Sequence, residues 1–166
     1  MIGGDDTQQG RVFLFSWVSG EWVEVEGMVG GDRFSHGCAL LGEGQVLVAA
    51  GYHGLGTPEA TDLATAEILD LATLTWRETA ALPWGMDGSA LVAVEAGPWA
   101  GQVLSLGGHQ PDSITGGDMV NFPSILRWVG VGARRRFTAE EAWEEAGDMP
   151  GPRAHFVTIN LPLHCQ

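Results

Sequence analysis

Hydrophobic and polar residues alternate, or run apolar for the length of a strand, along most of this chain, and helix formers in periodic runs are few. The pattern predicts a strand over 34–41, a turn at Gly42-Glu43-Gly44 and a second strand over 45–49. A third strand follows at 66–71, and Ala72-Thr73-Leu74 turns into a fourth at 75–79. Four such strands in sequence make an antiparallel meander, named here a, b, c and d. The same series recurs at 89–95, 102–106, 124–129 and around Trp143, and a partial series precedes it at 12–16 and 22–25.

Three markers recur in one order, which is the signature of a repeat architecture. An apolar run ends in glycine at Met1-Ile2-Gly3-Gly4, Val48-Ala49-Ala50-Gly51-Tyr52 and Leu104-Ser105-Leu106-Gly107-Gly108. A tryptophan follows, at Trp22, Trp76 and Trp143. A polar start to a new apolar run comes next, at Arg33 to His36, Gly85 to Gly88 and Pro152 to His155. This alignment sets Gly51 beside Gly107, with Tyr52 in the place of the second glycine. It makes Asp5, His53 and His109 equivalent, and likewise His36, Asp87 and His155. One segment conflicts with the register. Ala139 to Ala146 has helical propensity, yet the repeat makes it strand d.

These markers resemble the kelch repeat. In that family a glycine pair closes strand b, an aromatic on strand c stands seven positions before a tryptophan on strand d, and proline and arginine open the next blade. Phe15 stands seven before Trp22, and Leu69 seven before Trp76. Leu82-Pro83 and Met149-Pro150 occupy the proline position. The resemblance implies an all-β fold of kelch-type β-propeller blades, each a four-stranded antiparallel meander. Residues 1–31 read as a partial blade (b, c, d), 32–82 as a blade, 83–150 as a blade with loop insertions, and 151–166 as a lone strand a. That is about three blades, where propellers have four to eight, so the ring is incomplete. The chain is then either a piece of a longer propeller or one of two half-rings that associate.

Composition narrows the partners. The 25 glycines suit short strands and tight turns. A net charge of −13 repels phosphate, which argues against nucleic acid and anionic membranes. No apolar run is long enough to span a bilayer, and the start lacks the regions of a signal peptide, so the chain reads as cytoplasmic, with secretion left open. The two cysteines, Cys38 and Cys165, have no zinc spacing. Cys38 lies in an apolar stretch and reads as a small core residue. A disulfide between the two would favour a secreted protein.

In a meander of this kind the b–c and d–a connections emerge together, and the b–c segments are the longest and most irregular. Binding residues concentrate on such loops. The candidates there are Tyr52, His53, His109 and Asp112 on b–c, and Arg33, His36, Asp87, Arg153 and His155 where strand a opens. The arginines have a structural reading as partners of carboxylates, and the histidines one as ligands of backbone carbonyls. Equivalent residues on successive blades stand apart, so one Asp and two His make no metal ring. Ser35 and His36 point to opposite faces and form no catalytic dyad. Among kelch-like propellers, galactose oxidase needs more tyrosine than the single Tyr52. The resemblance therefore implies no enzyme and no cofactor, but a module that binds a protein partner. The alternative is a sugar- or small-molecule-binding propeller of a secreted or enzymatic kind.

Overall fold

Most of the predicted alternation becomes strand in the residues described by the computed structural model, which are 11–54, 57–111, 119–130 and 141–152, though the strands expected over 34–41 and 89–95 shorten to 37–41 and 90–93. The first two strands, β1 (Val12–Ser16) and β2 (Glu21–Val25), form a hairpin with Phe15 opposite Trp22. Then come β3 (Gly37–Leu41), β4 (Gln45–Ala49), a short β5 (Tyr52–His53) and β6 (Thr61–Asp62), β7 (Ala66–Asp70) and β8 (Thr75–Thr79). The last series is β9 (Ala90–Ala93), β10 (Val103–Leu106), β11 (His109–Pro111), β12 (Met119–Asn121), β13 (Ser124–Val129) and β14 (Ala142–Asp148). Two four-stranded antiparallel sheets result, in the orders β3-β4-β7-β8 and β9-β10-β13-β14. The described residues contain no α-helix, and a 3-10 turn at Gly42–Gly44 joins β3 to β4.

Strand β14 decides the conflict in favour of the repeat. Trp128 sits opposite Trp143 and Leu126 opposite Glu145, with a register shift between Ile125 and Leu126. Tertiary contacts hold the segment extended against its propensity. The Trp143 indole donates to the Ala80 carbonyl at 2.9 Å, and Arg127 pairs with Glu144 across the two strands. The β7–β8 turn is held locally. The Asp70 carboxylate accepts the N–H groups of Ala72 (2.8 Å) and Thr73 (3.0 Å), which lowers its pKa.

Successive sheets stack face to face. On the central sheet Val46, Val48, Leu69 and Trp76 turn back toward the hairpin, where Val12, Val25 and Met28 complete a buried cluster. Leu47, Ala49, Ala66 and Ile68, the alternate residues, turn forward onto Leu91, Val103, Leu126 and Trp128 of the next sheet. A strand buried on both faces needs an unbroken apolar run, which explains Val46-Leu47-Val48-Ala49. The tryptophans repeat one contact. Trp76 donates to the carbonyl of Glu26, just after β2, as Trp143 does to that of Ala80, just after β8.

The gap between the two large sheets is uneven. At their first strands it is narrow, because a Cβ on Gly37 would lie 2.6 Å from Cγ of Leu91. At their third and fourth strands the indoles of Trp128 and Trp143 fill it, reaching Thr79 and Ala80.

Cys38 departs from expectation. It is exposed, because β3 alternates and Gly37, Ala39 and Leu41 take the inward positions. An apolar neighbourhood in sequence does not set the face of a strand residue. Cys165 and, apart from 151–152, the segment 151–166 read above as a lone strand a lie outside the described residues.

Candidate functional site

Strands β4 and β10 end at one edge of the stack, and their connections to β7 and β13 fold back there as the hairpins β5–β6 and β11–β12. The glycine motif makes these exits possible. Ala50 and Gly51 have φ of 61° and 103°, and Gly107 and Gly108 have 61° and 108°. The structure therefore aligns Gly51 with Gly108 and puts Ala50, not Tyr52, in the variant place. The single bridges agree, since Phe34 pairs with Tyr52 and Asp87 with His109. So His53 and His109 are not equivalent positions, nor are His36 and Asp87. An alanine in a left-handed conformation left no sequence signal, and the alignment slipped by one residue.

Each candidate residue then has a place. Arg33 is buried, 1% exposed. Its guanidinium donates to the carbonyls of Ala50 (2.7 Å) and Thr65 (2.9 Å), to the Thr65 hydroxyl (2.9 Å) and to Oε1 of Glu67 (3.0 Å). Glu67, equally buried, also accepts the N–H groups of Val29 (2.6 Å) and Gly30 (3.2 Å). Burial pushes the Arg33 guanidinium pKa down, and the Glu67 carboxylate opposes that shift. This is the structural reading of Arg33, a clamp that ties the segment after β2 to the central sheet.

Of the other described candidates, His109 is buried and His36, Tyr52, His53 and Asp87 are partly exposed. His36 holds its Nδ1 3.1 Å from the Arg33 carbonyl, a contact within its own segment. Tyr52 is half-buried and pairs its backbone with Phe34 in both directions at 2.8 Å. His53 places Nδ1 2.6 Å from Oδ1 of Asp32. His109 places Nε2 2.8 Å from Oδ1 of Asp87, and their backbones exchange two hydrogen bonds of 2.9 Å. Asp112, Arg153 and His155 lie outside the described residues.

Three residues important to this end carried no motif. Asp62 sits opposite Tyr52 in the β5–β6 hairpin and against the connection from β8 to β9, where a Cβ on Gly85 would meet its carbonyl at 2.5 Å. Burial, and then the charge of Asp87, push its carboxyl pKa up to about 6. Trp84, on the same connection, stacks at a tilt on Phe122, ring centres 5.5 Å apart. Backbone hydrogen bonds join the parts: Gly51 to Met86 at 2.7 Å, Leu63 to Gly51 at 2.7 Å and Gly88 to Ser35 at 2.9 Å. The hairpins thus rest on a tied platform rather than on free loops.

Asp62 makes a testable prediction. Its folded pKa lies above its unfolded value of about 4, so the folded state binds the proton more tightly and its stability falls as pH rises from about 4 to 6. Asp62→Asn removes that penalty. The variant is expected to be more stable than the parent at pH 7 by about 1 kcal/mol, after discounting for solvent screening of a partly exposed group. Near pH 4 the two should coincide. Urea midpoints measured across that range check it, and a difference independent of pH refutes it.

Among the described residues no three His, Cys, Asp or Glu side chains gather as a metal site, and no helix is long and apolar enough to cross a membrane. What the end offers is hydrogen-bonding and acidic. The tip Thr57-Pro58-Glu59 between β5 and β6 is exposed and carries Glu59, while Asp32 pairs with His53, Asp62 lies opposite Tyr52, Asp87 pairs with His109 and Arg33 is buried.

Comparison with known proteins adds the fold. No protein-family model matches the chain, and no curated protein matches it. Among solved structures it is similar to that of YjhT, with a TM-score of 0.64 at 14% sequence identity. The match covers 89% of this chain and 47% of that one, so the chain spans about half the length of that structure.

Proposed function

We propose that the two four-stranded sheets are blades of a kelch-type β-propeller, that the β1–β2 hairpin belongs to a third, and that the chain is a protein-interaction module. The observation that carries the reading is that both b–c connections build hairpins of their own at one end of the stack, each beside a His–carboxylate pair. Rigid presentation of loops on a packed scaffold suits recognition, because less order has to be gained on binding. No catalytic step is assigned to these residues. The acidic tip favours a partner surface rich in Lys and Arg, with association that weakens as salt rises.

The test uses a photo-crosslinking residue at Glu59 and, as a control, at Thr73 in the β7–β8 turn at the opposite end. In extract from the source cells, the Glu59 probe is expected to capture a discrete protein, less of it at high salt, and the Thr73 probe none. Equal capture from both ends refutes the loop-face reading. Binding to a glycan array that fades on substituting β5–β6 residues would replace the protein partner with a sugar.

A further inference from the structure

Each large sheet leans on the element before it through the same tryptophan contact, and the first element repeats the tryptophan without the contact. Trp76 and Trp143 donate to carbonyls just past β2 and β8. Trp22 holds their place on β2, opposite Phe15 as Trp76 is opposite Leu69, yet it is 56% exposed. Its indole N–H has no hydrogen bond among the described residues. Phe15 packs on it at 5.0 Å, and Trp17 beside them is 90% exposed. That makes an aromatic face with no cover among the described residues.

The opposite end of the stack carries the complementary pattern. Through the strand registers, Val92, Leu104, Leu106 and Ile125 occupy the places of Ala39, Leu47, Ala49 and Ala66 on the central sheet. Those four central residues are buried under the next sheet, at 8%, 0%, 0% and 1% exposure. Their counterparts on the last sheet remain partly exposed. Allowing for the register shift in β14, the carbonyl equivalent to those of Glu26 and Ala80 is that of Asp148.

We infer that two copies of this chain associate head to tail, the Trp22 face of one seated on the outer face of β9-β10-β13-β14 of the other, with the Trp22 indole donating to the Asp148 carbonyl. The inference rests on the propeller reading above. A second copy is the occupant because the chain's own last sheet already has the aliphatic positions and the acceptor that the Trp22 face lacks. Used twice around a two-fold axis, the contact covers the Trp22 face and the outer face of the last sheet of both copies.

Light scattering of the full chain after size exclusion is the first test, with a dimer of the 17.6 kDa chain as the expected result. Trp22→Arg, at an exposed position, should raise the dissociation constant at least about 100-fold without changing the far-UV spectrum. Leu104→Arg, on the other face, should do the same. Exchange of the indole N–H protons, assigned by single Trp→Phe variants, separates the two levels of the argument. Slow exchange at Trp22, Trp76 and Trp143 supports the dimer. A monomer in which Trp76 and Trp143 are slow but Trp22 is fast overturns self-association and leaves the stacking of sheets intact. Fast exchange at all three overturns the stacking too, and a dimer indifferent to both arginine variants overturns the proposed contact.

Discussion

Arg33→Ala is expected to destabilise the fold by about 3–5 kcal/mol, the cost of leaving one partner of a buried ion pair alone. The lost side chain satisfies two carbonyls and a hydroxyl besides Glu67, and the contacts to the Ala50 carbonyl and to Glu67 are buried, where water does not readily replace it. The carboxylate left behind keeps only the N–H groups of Val29 and Gly30. Glu67→Gln should cost less than Arg33→Ala, because an amide oxygen still accepts hydrogen bonds and no bare charge is stranded. Urea unfolding at low temperature measures both. A loss under about 1 kcal/mol for Arg33→Ala would mean that water reaches the pair.

The second large effect lies at the exit from β4. Gly51→Ala is expected to lower stability by about 3 kcal/mol, or the melting temperature by about 10 °C for a chain of this size. A Cβ there would meet the Phe34 carbonyl oxygen at 2.6 Å and Cγ of Arg33 at 2.8 Å, on a residue whose φ is +103°. The oxygen belongs to a backbone fixed by two hydrogen bonds to Tyr52, so it cannot retreat cheaply. Gly108→Ala, the equivalent change, meets first the Met86 sulfur at 2.9 Å, the far part of a flexible side chain. It should therefore be the milder of the two, and melting curves showing the reverse order would refute the steric account.

These positions also mark how far the sequence could be read. Strands 12–16, 45–49, 75–79 and 124–129 were legible to the residue, because a period of two and glycine-bearing turns are local properties. The strand at Trp143 was legible only through the repeat, since its own residues favour a helix. Nothing local reported that Ala50 takes a glycine's conformation, and that one substitution shifted the pairing of His53 and His109. Arg33 was legible as a residue that pairs with a carboxylate, but its partner Glu67 stands 34 residues away and only the fold selects it. Asp62 was illegible for the same reason. Its neighbours come from two separate segments, Tyr52 from β5 and Gly85 and Asp87 from the β8–β9 connection, and its elevated pKa exists only once they meet.

The uneven gap between the two large sheets has a consequence for assembly. Glycine at position 37 and indoles at 128 and 143 make the junction between these two sheets a wedge, thin at the first strand and thick toward the fourth. The angle of the wedge fixes how many sheets complete a circle. A head-to-tail contact does not limit its own number, so subunits whose wedge is slightly wrong miss closure and add on as a filament. Gly37 therefore acts as a curvature setting. In the ring proposed above, a side chain there would prop open the thin edge, flatten the stack and turn the closed particle toward a fibre.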